Sequence, residues 1–253
     1  MRIEFAGGTH VGMKRARNED SYLLLPEQNL CAVADGMGGH ASGELASRTA
    51  VDAIEQFFRA SEADAGYAWP FAGDADRPYE ENRLVVGIRH ANACIVELAD
   101  RTPENHGMGT TLVSLLVGER QAFLAWAGDS RAYRLRDGRL VQLSEDHSLL
   151  NELRKSRRLS DEEAERFPHK NVIVRALGSK EPLVVDVICD EPRAGDVYLL
   201  CSDGLSGMVA DARIEQILLR MSDLDRAVQQ LIDTANAEGG ADNVTAVLAR
   251  IAG

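Results

Sequence analysis

The chain has no apolar run near the ~18 residues that a membrane-spanning helix needs. Its opening stretch, "MRIEFAGGTHVG", lacks the apolar core of a secretory leader. These two absences predict a cytoplasmic protein that does not enter a membrane. Cysteine is scarce: Cys31, Cys94, Cys189 and Cys201 are scattered, with no CxxC pair. That argues against a structural zinc site, and three of the four lie in apolar runs where a free buried thiol is expected. Basic charge is also short. Twenty-eight Lys and Arg against 40 Asp and Glu give a net charge of −12, so a nucleic-acid partner is not expected. Internal repeats and low-complexity tracts are absent, which leaves out solenoids and disordered arrays.

What is present is ordinary for a globular protein. The 253 residues are 45% apolar and 27% charged, enough to bury a sizeable core, and are expected to form a single domain over 1–253. Strand-like runs occupy Tyr22–Leu25 and Leu30–Ala34, joined by a turn at Pro26–Asn29. Thr111–Val117 and Ala122–Ala127 flank a hairpin-length connection. Arg131–Arg136 and Arg139–Leu143 flank Asp137-Gly138, a pair suited to a type I′ turn. Helical stripes begin at Ser42, a plausible N-cap, and span Glu81–Arg101, Asp211–Met221 and Asp225–Glu238, before a last strand at Val244–Ile251. Hairpins with amphipathic helices outside them predict an α+β sandwich. Two irregular insertions stand out, at 59–80 and 144–181, the second with a short helix expected at Asp161–Arg166.

The segment "VADGMGGHASGE" ends an apolar run with Asp35 and follows it with four glycines. Gly36–Ala41 matches a dinucleotide-binding fingerprint, but the strands that follow pair as hairpins rather than as βαβ units. An aspartyl-phosphate nucleophile motif would need a second acid two residues earlier. Val33 stands there, as Cys201 does before Asp203. A two-cation site fits better. Asp20, Asp35, Asp129, Asp203 and Asp242 each lie at the end of an apolar run beside a small residue. One such aspartate is most simply a turn or cap residue; five suggest carboxylates converging on cations. Oxygen-only ligands favour Mg²⁺ or Mn²⁺ over zinc.

Taken in order, "RARNEDS", "VADGMGGHASGE", "GMGTT", "AGDSRAY", "LCSDGL" and "GGADNVT" resemble the bacterial metal-dependent Ser/Thr protein phosphatases of type 2C, from about Gly8 to Ile251. The resemblance implies a four-layer α-β-β-α sandwich of two antiparallel sheets flanked by helices, with the metals at one edge. It implies that Asp35 bridges two ions, with the Gly36 carbonyl, Asp203 and Asp242 as further ligands. Glu19 and Asp20 support them through water, and Asp129 joins Asp203 at a weaker third site. Arg15 falls where the family carries a phosphate-binding arginine, and Arg17 is the other candidate. Met37 occupies the position of a histidine found in eukaryotic relatives and proposed there as general acid. His40 is the nearest substitute, with a loop or helix-cap role as the alternative. His10, His90, His106, His147 and His169 are expected to be structural or superficial.

The implied reaction is hydrolysis of phosphoserine and phosphothreonine in proteins by a hydroxide shared between two cations, attacking phosphorus in line. The implied cofactors are two tightly bound Mn²⁺ or Mg²⁺ ions plus a third. The implied setting is a monomer opposing a cognate Ser/Thr kinase. Residues 59–80 and "EENRLVVGIRHAN" resemble, at subgroup level, members that control type VI secretion. Two alternatives stay open: a phosphoprotein-binding pseudophosphatase, and a phosphatase switch acting on a sigma-factor regulator.

Overall fold

The structure is a computed structural model that describes residues 2–38, 42–64, 66–156, 163, 167 and 172–252. Eleven strands among the described residues build two sheets. They are β1 (Arg2–His10), β2 (Asp20–Leu25), β3 (Leu30–Met37), β4 (Gly109–Thr110), β5 (Leu112–Val117), β6 (Ala122–Ala127), β7 (Arg131–Arg136), β8 (Arg139–Gln142), β9 (Asp186–Asp190), β10 (Val197–Cys201) and β11 (Val244–Ala252). One sheet has the order β1-β11-β10-β7-β8. The other has the order β2-β3-β5-β6-β9, with β4 against β3. Every pairing is antiparallel.

Two long helices, α1 (Ser42–Ala63) and α2 (Tyr79–Arg101), cover the outer face of the second sheet. Two more, α5 (Asp211–Arg220) and α6 (Leu224–Ala237), cover the first. Between them in sequence lie α3 (Leu149–Lys155) and the single turn α4 (Asp203–Ser206). This is the expected four-layer α-β-β-α sandwich. Strand side chains alternate between its apolar layers. Cys31, Val33, Val113 and Leu115 point inward to meet Tyr198, Leu200 and Val247 of the facing sheet. Ala32, Ala34, Leu112 and Leu116 point outward to Ile54, Phe57 and Leu84 of the helices. Because both faces are covered, β5 and β6 are buried at every position and read as unbroken apolar runs.

The Asp137-Gly138 turn has φ of 51° and 80°, as a type I′ hairpin requires. Several expectations need correction. Ser42 is the first residue of α1, not its cap; its hydroxyl donates to the Glu104 carbonyl at 3.1 Å, which ties the helix start to a neighbouring loop. Residues 59–63 belong to α1 rather than to the irregular insertion. The turn at Pro26–Gln28 is a 3₁₀ turn closed by Asn29 at φ 53°. Strands β1, β9 and β10 and helix α3 stand where no element was expected. The helix expected at Asp161–Arg166 lies outside the described residues except for Glu163, as do His40 and His169. No helix among the described residues is long and apolar enough to cross a membrane.

Candidate functional site

The antiparallel registers carry the expected acids to one end of the sandwich. Asp20 opens β2 directly opposite Asp35 near the end of β3. Leu112 opens β5 at that same end and pairs with Ala127, two residues before Asp129. In the other sheet Cys201 pairs with Arg131 and Ala246, which brings Asp203 and Asp242 to the matching edge. Two carboxylates facing each other across a strand pair repel, and sheets ordinarily avoid the arrangement.

Asp35 is fixed through its backbone. The Asp35 N–H donates to Thr111 Oγ1 at 3.1 Å, and the Asp35 carbonyl accepts from Thr110 Oγ1 at 2.9 Å and Thr111 N at 2.9 Å. The "GMGTT" block therefore holds the peptide of Asp35. Gly36 is required by close approach: a Cβ there would stand 2.1 Å from the Gly43 carbonyl oxygen and 2.6 Å from that of Glu19. Gly204 is required in the same way, since a Cβ would stand 1.8 Å from the Asn243 carbonyl oxygen.

Asp20 is 6% exposed, and its Oδ2 accepts from Thr245 Oγ1 at 2.6 Å and Ser202 Oγ at 2.8 Å. One carboxylate thus joins strands of both sheets. Its Oδ1 is buried without a hydrogen-bond partner. Asn243 holds the loop that carries Arg15. Its amide nitrogen donates to the carbonyls of Val11 and Arg17, and its oxygen accepts from Glu19 N. Arg15, with a 55% exposed side chain, donates to Asp242 Oδ2 at 2.6 Å. Arg17 makes no such contact, although its charge acts on Glu19.

The electrostatics follow from crowding. Burial first, then Asp20, Asp203, Asp129 and Asp242, hold the Asp35 carboxyl well above the ordinary range. Burial pushes Asp20 up to about 7 against the pull of its hydrogen bonds from Thr245 and Ser202. Burial, then Asp203 and Asp146, push Asp129 up to about 7. Asp203 is raised by burial and by Asp242, and its hydrogen bond with Asp35 partly offsets this. Glu19 is raised by burial, with Arg15 opposing. A cleft of ≈ 380 Å³ opens beside this cluster, lined by Asp129, Arg131, Asp203, Met208 and Asp242 among others.

The donor set fits divalent cations. It consists of hard oxygens, it carries far more negative than positive charge, and it leaves a buried carboxylate oxygen unpartnered. Among the described residues no group of three His, Cys, Asp or Glu side chains is arranged to hold a metal ion, and Asp242 is paired with Arg15 instead. Asp35, Asp20, Asp129, Asp203, Asp242, Glu19 and Arg15 are thus brought to one edge.

The sequence offers no role for Asn243 or Thr111 and points to His147 only as a structural or superficial residue. Asn243 and Thr111 lie inside quoted blocks but showed no chemistry of their own. His147 is 3% exposed and belongs to a polar network under the Asp129 turn. Burial holds its imidazole below the ordinary value, against the pull of Asp186.

The chain belongs to the protein phosphatase 2C family, whose model, described as "Protein phosphatase 2C", matches residues 7–249. It is 37% identical over 252 residues to the "Serine/threonine phosphatase stp" of Listeria innocua, covering 98% of this chain and 95% of that one. It is 36% identical to the "Serine/threonine protein phosphatase PstP" of Mycobacterium tuberculosis, covering 98% of this chain and 45% of that one, so it spans about half the length of that relative. A structure of the PstP catalytic domain in complex with two manganese ions superposes with a TM-score of 0.82 at 36% identity, over 99% of each chain. A structure described as "PppA, a key regulatory component of T6SS in Pseudomonas aeruginosa" superposes with a TM-score of 0.79 at 34% identity, over 99% of this chain and 98% of that one.

Proposed function

We propose that this chain is a metal-dependent protein phosphatase that hydrolyses phosphoserine and phosphothreonine esters. The observation that carries this reading is the pair Asp20–Asp35, opposed across two strands and joined at the sheet edge by Asp129, Asp203 and Asp242. A fold tolerates such repulsion where cations relieve it. Asp35, the Gly36 carbonyl, Asp203 and Asp242 would hold two Mn²⁺ or Mg²⁺ ions, with Glu19 and Asp20 supporting them. Asp129 and Asp203 would hold a third. When bound, such ions neutralise the carboxylates, draw charge from the phosphoryl oxygens and make water a competent nucleophile near neutral pH.

The chain's own groups do the rest. Arg15 presents a guanidinium fork on a loop locked by Asn243, and in this reading exchanges Asp242 for the phosphate dianion. His40 donates the proton that the serine or threonine alkoxide needs on leaving. Asp20 ties the edge of one sheet to Ser202 and Thr245 of the other. Neither buried thiol is offered to the edge as a nucleophile. Cys31 and Cys201 are buried, with the Cys201 thiol pushed up to about 12 by burial.

A pseudophosphatase would be expected to lack some of the metal carboxylates, and all of them stand at the edge. The likeness to a structure described as a regulatory component of T6SS supports a role in type VI secretion, and a cognate Ser/Thr kinase whose action it reverses is part of the same proposal. Control of a sigma-factor regulator would use the same chemistry on another substrate. The setting we propose is a cytoplasmic monomer whose single catalytic domain spans 1–253.

The test is hydrolysis of phosphoserine and phosphothreonine peptides, with and without Mn²⁺. Turnover that requires the metal and disappears in EDTA is the expected result. Full turnover by metal-stripped protein in chelator would end the two-cation reading.

A further inference from the structure

Beneath the Asp129 turn, His147 touches three separate segments. Its Nδ1 accepts the Gly128 N–H at 3.0 Å, and its own N–H donates to the Gly128 carbonyl at 2.9 Å. Its carbonyl accepts from Val174 N at 2.9 Å. Its Nε2 lies 3.1 Å from Asp186 Oδ2, on β9. Arg175 Nη1 stands 3.1 Å from the same ring nitrogen and donates to Asp186 Oδ1 at 2.6 Å. The ring stacks on Trp126 at 6.1 Å and 15°, and Trp126 Nε1 donates to the Glu145 carbonyl. Since Nδ1 accepts a backbone N–H, the neutral ring carries its proton on Nε2 and donates it to Asp186. Asp186 therefore fixes both the tautomer and the ring plane.

Two functional surfaces meet at this imidazole. On one side is the Gly128–Asp129 peptide. Gly128 has φ of 122°, and Thr111, which holds Asp35, packs against it. On the other side is the 172–175 segment. It is bridged through Ile173 to Ser148, which lines the cleft, and it presents Val172 and Val174, 44% and 47% exposed. Among the described residues no hydrogen bond joins the Gly128–Asp129 peptide directly to the 172–175 segment.

Resting on the phosphatase reading above, we propose that His147, oriented by Asp186 and Arg175, is a positioning residue. It sets the Asp129 carboxylate and the 172–175 rim in one register, so that a substrate protein lying on the rim and the cation held by Asp129 are aligned by the same side chain.

The experiment compares wild type with Asp186→Asn and Arg175→Gln, both outside the proposed ligand set. Amide hydrogen exchange of metal-free protein is followed in peptides covering 126–131 and 172–177. Exchange should rise about fivefold in both segments together, while the β10–β11 core stays unchanged. With a phosphopeptide, the Mn²⁺ concentration for half-maximal turnover should rise about tenfold in both variants. The KM for p-nitrophenyl phosphate, which is too small to reach the rim, should hold. Exchange rising in 172–177 alone, or an unchanged Mn²⁺ curve, would overturn the proposal. If Asp186→Asn fails to fold, Arg175→Gln is decisive by the same readouts. Wild type inactive with every metal would overturn the phosphatase reading instead, and the exchange result would still decide whether the two segments are coupled.

Discussion

The cleft floor has two halves that treat their acids in opposite ways. In one half Asp146 receives a bidentate grip from Arg131, at 2.7 and 2.9 Å, with Gln142 at 3.2 Å. Asp186 there is paired by His147 and Arg175, which hold it below the ordinary carboxylate range despite the opposing effect of burial. In the other half Asp35, Asp203 and Asp242 crowd one another, with Arg15 on Asp242, and Asp20 adds its charge although Ser202 and Thr245 donate to one of its oxygens. Acids that serve the architecture are given partners. Acids left to repel one another are in place for something that arrives from solution. Asp129 sits on the boundary: the preceding Gly128 is held by His147 of the paired half, and the Asp129 carboxyl is raised first by burial, then by Asp203 of the one half and Asp146 of the other.

The largest effect should come from breaking the unpaired half at its centre. Asp35→Asn should lower kcat by about a thousandfold or more, without recovery at high metal, because both proposed tight ions lose a ligand. The same variant should stabilise the metal-free protein by about 1 kcal/mol, since a buried repulsion is removed. Asp129→Asn should also lose most turnover yet still bind two metals per chain. Calorimetric stoichiometry beside kcat separates the two, and loss of the central pair in Asp129→Asn would erase the boundary drawn here.

A smaller effect is expected at the guanidinium. Arg15→Ala should raise KM about tenfold while metal stoichiometry survives, and Arg17→Ala should change KM by less than about twofold. The reverse ranking would reassign the phosphate contact to Arg17.

The smallest effect is on stability against pH. Asp20 and Asp129, at about 7 when folded, lie above the unfolded carboxylate value. The folded chain therefore binds more protons between about pH 4 and pH 7, and the stability these groups lend is lost as pH rises through 7. Asp186 and Asp190, held low, act the other way only below about pH 4. Metal-free protein should melt about 2–4 °C lower at pH 8 than at pH 5.5, and saturating Mn²⁺ should reverse that order. Equal melting temperatures without metal would mean the two halves are not electrostatically different.

Much of this was legible from residue order. The Asp-Gly hairpin, the apolar stripes of α1 and α2 and the aspartates at run ends all express local rules. Strand β1 was hidden because Gly7-Gly8 interrupts a weak strand pattern. Strand β9 ends in charged residues whose partners are remote in sequence or irregular in structure, Arg134 on β7 for Asp190 and Arg175 in the 172–175 segment for Asp186. The supports of the site were hidden for the same reason. The bonds from Ser202 and Thr245 to Asp20 span 182 and 225 positions, and that between Asn243 and Glu19 spans 224. Such pairs have no local signature. The aspartates could be recognised by type and neighbour, but the residues that hold them could not.

The double duty of Asp20 bears on descent. On the reading proposed above, copies of the gene can lose Asp35 or Asp129, give up turnover and still inherit an intact sandwich. A copy that loses Asp20 gives up the stitch between Ser202 and Thr245 as well, and with it the alignment of both sheets. Among silent descendants, the aspartate at this seam should outlast the aspartates of the reaction, an imprint of ancestry kept by architecture after chemistry has gone.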